Sequence, residues 1–554
     1  MSIDDESKPK EITFEDIVNK SLEEANEALK DPYVFKSDIQ KVAVIGAGPS
    51  GLVSARHLKE AGLSVRVFDR NSYVGGVWVY SERPRPKPKM PTSRIARQAE
   101  QAAAAAAAAE TTETDAPQKK LFEMTPEIQN LLLTKKPPSA TYRDLYNNTA
   151  THLMGLPDFP FPKDTPLYIP HFGIAEYLEN YANAFDLMPL IEFDTSVDLV
   201  TKNHEDQTWE LTLSKYDVYT SGMVRETRWK ETFDAVVVAS GQHQDPYVPD
   251  IKDLTAFNKI YPDKVSHSVQ YRKPEDYKDK NVLVVGGSIS AVDIVRSLEG
   301  FAKSITISIK GPFESPFLIY QLLRSLIPTC VDVKPEIKAF SNAEGQVDGS
   351  VIFEDDSTLD NIDQVIFCSG FNSRMPFLGD LVIPKEKEDV RYAPPRPIYD
   401  DVPESHVVLG PQFPLNVYRE SFLISDPTLA FIGQPPFFSP LTQYDTQARA
   451  VARVWSGAAL LPNENLMLKY SAEHDDGLDP QELFNGDRRR REPFVIWLNH
   501  HAAHITAKNG KEYPPLENYR EDYEEEGLKS MKQWVAASTE NFKRVREHIQ
   551  EQNL

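Results

Sequence analysis

The stretch Lys41-Val42-Ala43-Val44-Ile45-Gly46-Ala47-Gly48-Pro49-Ser50-Gly51 decides the fold. Its first five residues are nearly all apolar, as in a parallel strand buried on both faces. The Gly-x-Gly-x-x-Gly spacing follows, opening a helix that runs to about Ala61. In such a turn the first glycine bends the chain tightly and the second lets a pyrophosphate approach the backbone. The third allows close helix–strand packing, and the helix N-terminus supplies positive potential. A second strand, Ser64-Val65-Arg66-Val67-Phe68, leads to Asp69, 18 residues after Gly51. A carboxylate there accepts hydrogen bonds from a ribose. These residues form one βαβ dinucleotide-binding unit.

A second unit starts at Asn281. The strand to Val285 precedes Gly286-Gly287-Ser288-Ile289-Ser290-Ala291, in which Ser288 stands at the middle glycine. Gly46 to Asp69 is a step of 23 residues, and the same step from Gly286 lands on Ile309, followed by Lys310. With no carboxylate to hold a 2′-hydroxyl or repel a 2′-phosphate, and a cation adjacent, the pattern favours NADP(H) over NAD(H). Two dinucleotide sites in one chain imply that electrons pass between two cofactors, and FAD with NADPH is the usual pairing. The expected fold class is α/β, with two Rossmann-like domains.

Composition sets the outer limits. A chain of 554 residues is too long for one compact core. Lys+Arg 61 against Asp+Glu 83 gives a net charge of −22, which repels a phosphate backbone and argues against nucleic acid as a partner. The two cysteines, Cys330 and Cys368, exclude a disulfide framework, a CxxC redox pair and a cysteine-rich zinc site. Lacking a disulfide-reductase motif, the chain is left with oxygen or a small molecule as final electron acceptor. No apolar run is long enough to span a bilayer, and the acidic N-terminus reads as neither signal nor transit peptide. A cytoplasmic location is expected, with a homo-oligomer compatible. Proline, at 42 residues, is in excess and marks long irregular connections.

The order of motifs resembles the flavin-containing monooxygenases, class B flavoproteins of fungal and animal type, over about 41–460. Gly46 to Gly51 and Asp69 are followed by Gly75-Gly76-Val77-Trp78 and by Tyr142-Arg143-Asp144-Leu145-Tyr146-Asn147-Asn148. Next come Met154, Asp158-Phe159-Pro160-Phe161-Pro162 and Ala239-Ser240-Gly241. The series ends with Gly286 to Ala291 and Phe367-Cys368-Ser369-Gly370-Phe371, which looks like the family's ATGY stretch. The family fingerprint FxGxxxHxxxY corresponds to Tyr261–Tyr271, with His267 in place and Asp263 where glycine is usual. Asp69 stands where the family usually has glutamate.

The resemblance implies an NADPH domain inserted into a split FAD domain and oxygen transfer through a C4a-hydroperoxyflavin. It places Gly46, Ala47, Gly48, Pro49, Ser50, Gly51, Asp69, Gly76, Val77, Trp78, Asn147 and Thr149 on the flavin side. Asn148 becomes the asparagine beside the flavin that helps to hold the oxygenated intermediate and NADP. Gly286, Ser288, Ser290, Ala291, Val292, Asp293 and Lys310 are expected at the nicotinamide cofactor, His267 of the fingerprint among the cofactor-binding residues, and Gln447 and Arg449 near the isoalloxazine. Tyr271 followed by Arg272 tilts toward N- or S-oxygenation of a small molecule by O2 over Baeyer–Villiger insertion. An NADPH oxidase and a non-catalytic flavoprotein scaffold remain open.

The expected domains are an acidic extension 1–38 lying on the surface and a first FAD part 39–272 carrying an insertion, 82–140. An NADPH domain 273–362, a second FAD part 363–460 and a helical region 461–554 follow. The insertion contains an alanine tract, 102–109, and reads as a surface insertion or a lid or partner-docking element. His500, His501 and His504 include an i, i+4 pair, but no third ligand accompanies them, so no metal is expected. Arg488 to Arg491 reads as a solvated helix face or a set of salt bridges.

Overall fold

The computed structural model describes residues 13–88, 90–92, 117–314, 318–384, 402–410, 413–434, 440–473, 483–505, 510, 512–517 and 523–552. Lys41–Ile45 lies inside a seven-stranded sheet, between Ser64–Phe68 and Ala235–Val238, and is parallel to both. Its alternation divides two cores. Val42 and Val44 face the cluster that holds Leu52, Val53 and Leu58 of helix Pro49–Glu60 and Ala448 and Val451 of helix Pro440–Trp455. Ala43 and Ile45 face Trp209, Leu211, Leu213 and Phe233 of an antiparallel sheet on the other side. Covering both faces is what makes the strand almost wholly apolar.

The second sheet is five-stranded and parallel throughout: Val265–His267, Gln364–Phe367, Asn281–Val285, Ser304–Ser308, Asp332–Lys334. The boundaries expected at 272/273 and 362/363 therefore cut through this sheet. The chain enters and leaves the second unit side by side, where Asp245–Pro246 pairs antiparallel with Phe371–Asn372. Sequence inspection misplaced the limits because Val265–His267 is only three residues long and its pairing partners lie 100 residues away.

Residues 82–140 are more than a surface insertion where they are described. Gln118–Glu123 forms the edge of a four-stranded antiparallel sheet, paired with Met223–Phe233. Met90 packs in the core of the second unit with Phe257 and Val265. Arg85 is 7% exposed; its Nη1 donates to the Gln244 carbonyl and its Nη2 to Gln244 Oε1, both at 2.9 Å. Burial, and then the neighbouring Arg70 and Arg272 cations, push the Arg85 guanidinium down to about 9. The alanine tract lies outside the described residues.

The N-terminal extension is likewise anchored. Thr13 and Asp16 form a capping box for helix Phe14–Lys30. Its inner stripe of Ser21, Glu24, Ala25 and Ala28 is buried. Glu24 makes a buried ion pair with Arg419 at 2.8 Å, and His501 bonds the Ala25 carbonyl at 2.8 Å. In the C-terminal region, helices span Glu464–Glu473, Leu483–His504 and Tyr523–Gln552. Arg490 pairs with Glu420 at 2.6 Å. Among the described residues, no group of three or more His, Cys, Asp or Glu is placed to hold a metal, and no helix is long and apolar enough to cross a membrane.

Candidate functional site: two dinucleotide turns and the loop between them

The two Gly-rich turns have the same local geometry. Ile45 pairs with Phe68 and the Gly46 N–H bonds the Phe68 carbonyl at 2.9 Å; Val285 pairs with Ser308 and the Gly286 N–H bonds the Ser308 carbonyl at 2.9 Å. Asp69 and Ile309 are thus equivalent positions, as the 23-residue step predicts. A Cβ on Gly46 would sit 2.5 Å from the Ala239 carbonyl oxygen, and one on Gly286 2.5 Å from that of Cys368. Both glycines have positive φ, +109° and +140°.

The turns differ in their remaining positions. A Cβ on Gly51 would lie 1.8 Å from the Gly46 carbonyl oxygen, so the first helix packs against its turn with no room for a side chain. Ala291, fully buried, takes that place in the second turn. Gly48 and Ser288 are the N-caps of helices Pro49–Glu60 and Ile289–Leu298, and neither cap forms a side-chain bond to the helix. The first-turn N–H groups are left for a ligand. Gly48 lies against Gly76, where a Cβ would be 3.6 Å from the Gly76 Cα. The short Gly76–Trp78 helix is tied down by a hydrogen bond from Thr141 Oγ1 to the Val77 carbonyl.

Asp69 is 7% exposed, accepting from the Ala47 N–H at 2.7 Å on Oδ2 and from the Asn71 N–H at 2.7 Å on Oδ1. Desolvation raises its pKa, against these two bonds, which favour the charged form. Each oxygen keeps a lone pair for a ribose hydroxyl. Lys310, 76% exposed, stands one residue beyond Ile309 with Glu336 3.4 Å away.

Between the turns in the sequence lies the loop of Asn147 and Asn148. Asn147 is 1% exposed; its Nδ2 donates to the Thr149 and Leu167 carbonyls at 2.6 and 3.1 Å, and its Oδ1 accepts from the Ile169 N–H at 2.6 Å. Asn148 is exposed, and its amide has no partner among the described residues. Thr149 is buried. One asparagine builds the loop, leaving the next one free to act.

Family models match this chain on both halves of this arrangement. The flavin-binding monooxygenase-like model covers residues 133–313 and 313–511, and an NAD(P)-binding Rossmann-like model covers 44–97. The chain belongs to the flavin-binding monooxygenase family. It is 29% identical to the flavin-containing monooxygenase ustF2 of Aspergillus flavus, over 77% of this chain and 84% of that one. Identity to the flavin-containing monooxygenase iboF of Amanita muscaria is also 29%, over 85% and 90%. Among solved structures, the S-allyl-L-cysteine S-oxygenase of Allium sativum superposes with a TM-score of 0.60 at 23% identity, covering 91% of this chain and 99% of that one, a likeness of fold.

This flavin-dependent monooxygenase uses FAD and NADPH, and its residues fit them. The first turn, with Asp69, suits the FAD diphosphate and ribose; the second, with Lys310 and no carboxylate at 309, suits the nicotinamide cofactor. Sequence inspection missed Gln443. It is 2% exposed on the first turn of helix Pro440–Trp455, and among the described residues neither its Oε1 nor its Nε2 finds a partner. Gln447, one helical turn on, accepts from the Gly433 N–H and donates to the Gln434 carbonyl, both at 3.1 Å. A Cβ on Gly433 would lie 3.1 Å from Ser50, so this helix face is turned toward the first dinucleotide turn. An orphaned buried amide there suits the polar edge of a bound ring. The i, i+4 spacing of Gln443 and Gln447 was the signal available in sequence.

Asn147, His267, Asp293 and Arg449, all expected at the site of the monooxygenase, are likewise engaged by the chain itself. Asn147 spends its amide on backbone, as above. His267 accepts from the Val269 N–H at 3.1 Å on Nδ1, and its Nε2 bonds the Gly370 carbonyl at 3.1 Å. Asp293 accepts from the Tyr142 hydroxyl at 2.5 Å, with its pKa raised by burial. Arg449, two residues from Gln447 and so on the opposite helix face, donates to Asp445 at 2.6 Å and Asp158 at 2.5 Å. Asp445 also meets His57 Nε2 at 2.6 Å. Burial opposes its charge, yet His57 and Arg449 hold its carboxyl below the usual range. Of the second helix's first turn, Ser288 is exposed and Ser290 half-buried, whereas Ala291 and Val292 are core.

Proposed function

We propose that this monooxygenase transfers one oxygen atom from O2 to a nitrogen or sulfur of a small-molecule substrate. The observation that carries the reading is the Asn148 amide, exposed and without a partner among the described residues, on a loop fixed by Asn147. Bound FAD, reduced by NADPH, supplies the oxygen-activating chemistry. The chain's own contribution is positional. The first-turn N–H groups and Asp69 hold the flavin nucleotide, Ser288 and Lys310 take phosphate groups of NADPH, and Asn148 donates its N–H to the reacting cofactors and shields them from water. A soft nitrogen or sulfur nucleophile attacks electrophilic oxygen directly, so no protein acid–base pair is required.

The test uses the purified FAD-loaded enzyme, NADPH and isotopically labelled dioxygen with a panel of tertiary amines, thioethers and cyclic ketones. An N-oxide or sulfoxide carrying one labelled oxygen is expected. An ester from the ketones would overturn the reading in favour of Baeyer–Villiger chemistry. Peroxide released in step with NADPH regardless of substrate would point to an oxidase, and failure to oxidise NADPH to a scaffold. A cytoplasmic location goes with this proposal, and cell fractionation checks it.

A further inference from the structure

The helix Tyr523–Gln552 lies beyond the part of the chain that the family model matches, which ends at 511. One stripe of it is buried, Gly527, Ser530, Met531, Trp534 and Ser538, the i, i+3, i+4 pattern of a helix docked over 527–538. Its N-terminal half meets the FAD part. The Ala150 N–H donates to Ser530 Oγ at 3.4 Å, and the Tyr168 hydroxyl to the Ser530 carbonyl at 2.5 Å. Ala150 stands two residues after Asn148, and Tyr168 lies between Leu167 and Ile169, the two residues whose backbone holds Asn147. One turn later the helix meets the NADPH part. Trp534 shares an apolar cluster with Ala150, Tyr168, Val292, Leu323 and Leu326, and Arg296 Nη1 donates to Ser538 Oγ at 2.9 Å. Val292 and Arg296 belong to helix Ile289–Leu298, which opens at the second dinucleotide turn.

We infer that this helix is an interdomain clamp, and that Ser530 and Trp534 are positioning residues that fix the Asn148 loop against the NADPH-domain helix. The geometry supports this role because one element contacts both cofactor parts through residues four apart, Ser530 and Trp534. The flavin-side loop and the nicotinamide-side helix are thereby kept in one relative placement. A cofactor pair that must exchange a hydride, and then exclude water around Asn148, depends on that placement. The inference rests on the role proposed for Asn148.

The experiment compares the FAD-loaded full chain with Ser530→Ala, Trp534→Ala and the hydroxyl-retaining Ser530→Thr. It measures amide hydrogen exchange and the ratio of oxygenated product to NADPH consumed. Losing one hydrogen bond is expected to speed exchange roughly fivefold in segments 146–151 and 289–298 together, leaving 41–60 unchanged. The product ratio falls and peroxide rises at unchanged FAD content, and Ser530→Thr restores both. Exchange altered only within 523–552 would overturn the clamp. Faster exchange with an unchanged product ratio would reduce the helix to a strut and overturn the positioning role. If the wild-type chain forms no oxygenated product, the monooxygenase reading fails while the exchange pattern still decides the clamp. Ser530→Ala removes a single hydroxyl, so the test stands even if Trp534→Ala does not fold.

Discussion

Gly48 and Gly51 occupy the same turn for different reasons, and alanine at each separates them. At Gly51 the added methyl would meet the Gly46 carbonyl oxygen at 1.8 Å and its carbon at 2.8 Å, both backbone atoms. Reaching an ordinary 3.4 Å separation requires helix Pro49–Glu60 to move about 1.6 Å from its own turn, pulling buried Leu52, Val53 and Leu58 with it. Overpacking without a flexible neighbour to yield costs at least about 3 kcal/mol. At Gly48 the methyl would sit 3.6 Å from the Gly76 Cα, an ordinary contact, and φ is an unstrained −76°. The apoprotein then loses at most about 1 kcal/mol, because alanine caps a helix less well than glycine. That methyl would occupy the approach of a diphosphate to the turn, and FAD affinity is expected to fall at least about a hundredfold, roughly 2.7 kcal/mol. Thermal unfolding of the FAD-stripped variants and FAD titration by flavin fluorescence measure the two effects separately. A Gly48→Ala protein that binds FAD like the wild type would refute the diphosphate placement. A Gly51→Ala apoprotein with unchanged melting would refute the steric argument.

The paired asparagines predict a contrast of the same kind: Asn147→Ala loses three buried bonds and about 2–4 kcal/mol of stability, read by urea unfolding. Asn148→Ala keeps wild-type stability and instead shortens the life of any flavin species distinct from the reduced and oxidised forms when reduced enzyme meets O2 in rapid mixing. Gln443→Leu stabilises the FAD-stripped protein by removing a buried amide that has no partner among the described residues, while FAD affinity drops; a variant weaker in both respects would remove Gln443 from the site. Lys310→Ala is expected to raise the KM for NADPH about tenfold and leave that for NADH unchanged, since the contact proposed for Lys310 is to the 2′-phosphate alone. Asp445 and Glu60 are both held below the usual carboxylate range, Glu60 at about 2, where burial opposes the charge and His57 and Arg56 prevail. Depressed folded-state values mean that their stabilisation is complete above about pH 4.5 and is lost as pH falls toward 2, so Asp445→Asn should flatten the stability–pH slope below pH 4.5.

What the sequence determined by itself was whatever is encoded within a few residues. A strand, a turn that only glycine can make and a carboxylate at the end of the next strand are local, and so is the 23-residue step that the Ile45–Phe68 and Val285–Ser308 pairings reproduce. The same locality made Asn148 stand out beside Asn147 without showing which amide was free. The tertiary structure decided what depends on contacts remote in sequence. His267, Asp293 and Arg449 have the chemistry of site residues, but Gly370, Tyr142 and Asp158 take up their polar atoms first. Gln443 became visible only because a packed helix left its amide without a partner among the described residues. The domain limits moved because a three-residue strand carries little pattern of its own and gains its place by pairing with Gln364–Phe367. The docking of helix Tyr523–Gln552 on both cofactor parts is of the same kind. Its buried stripe is a helical period in the sequence, and only packing shows that the stripe faces two domains at once.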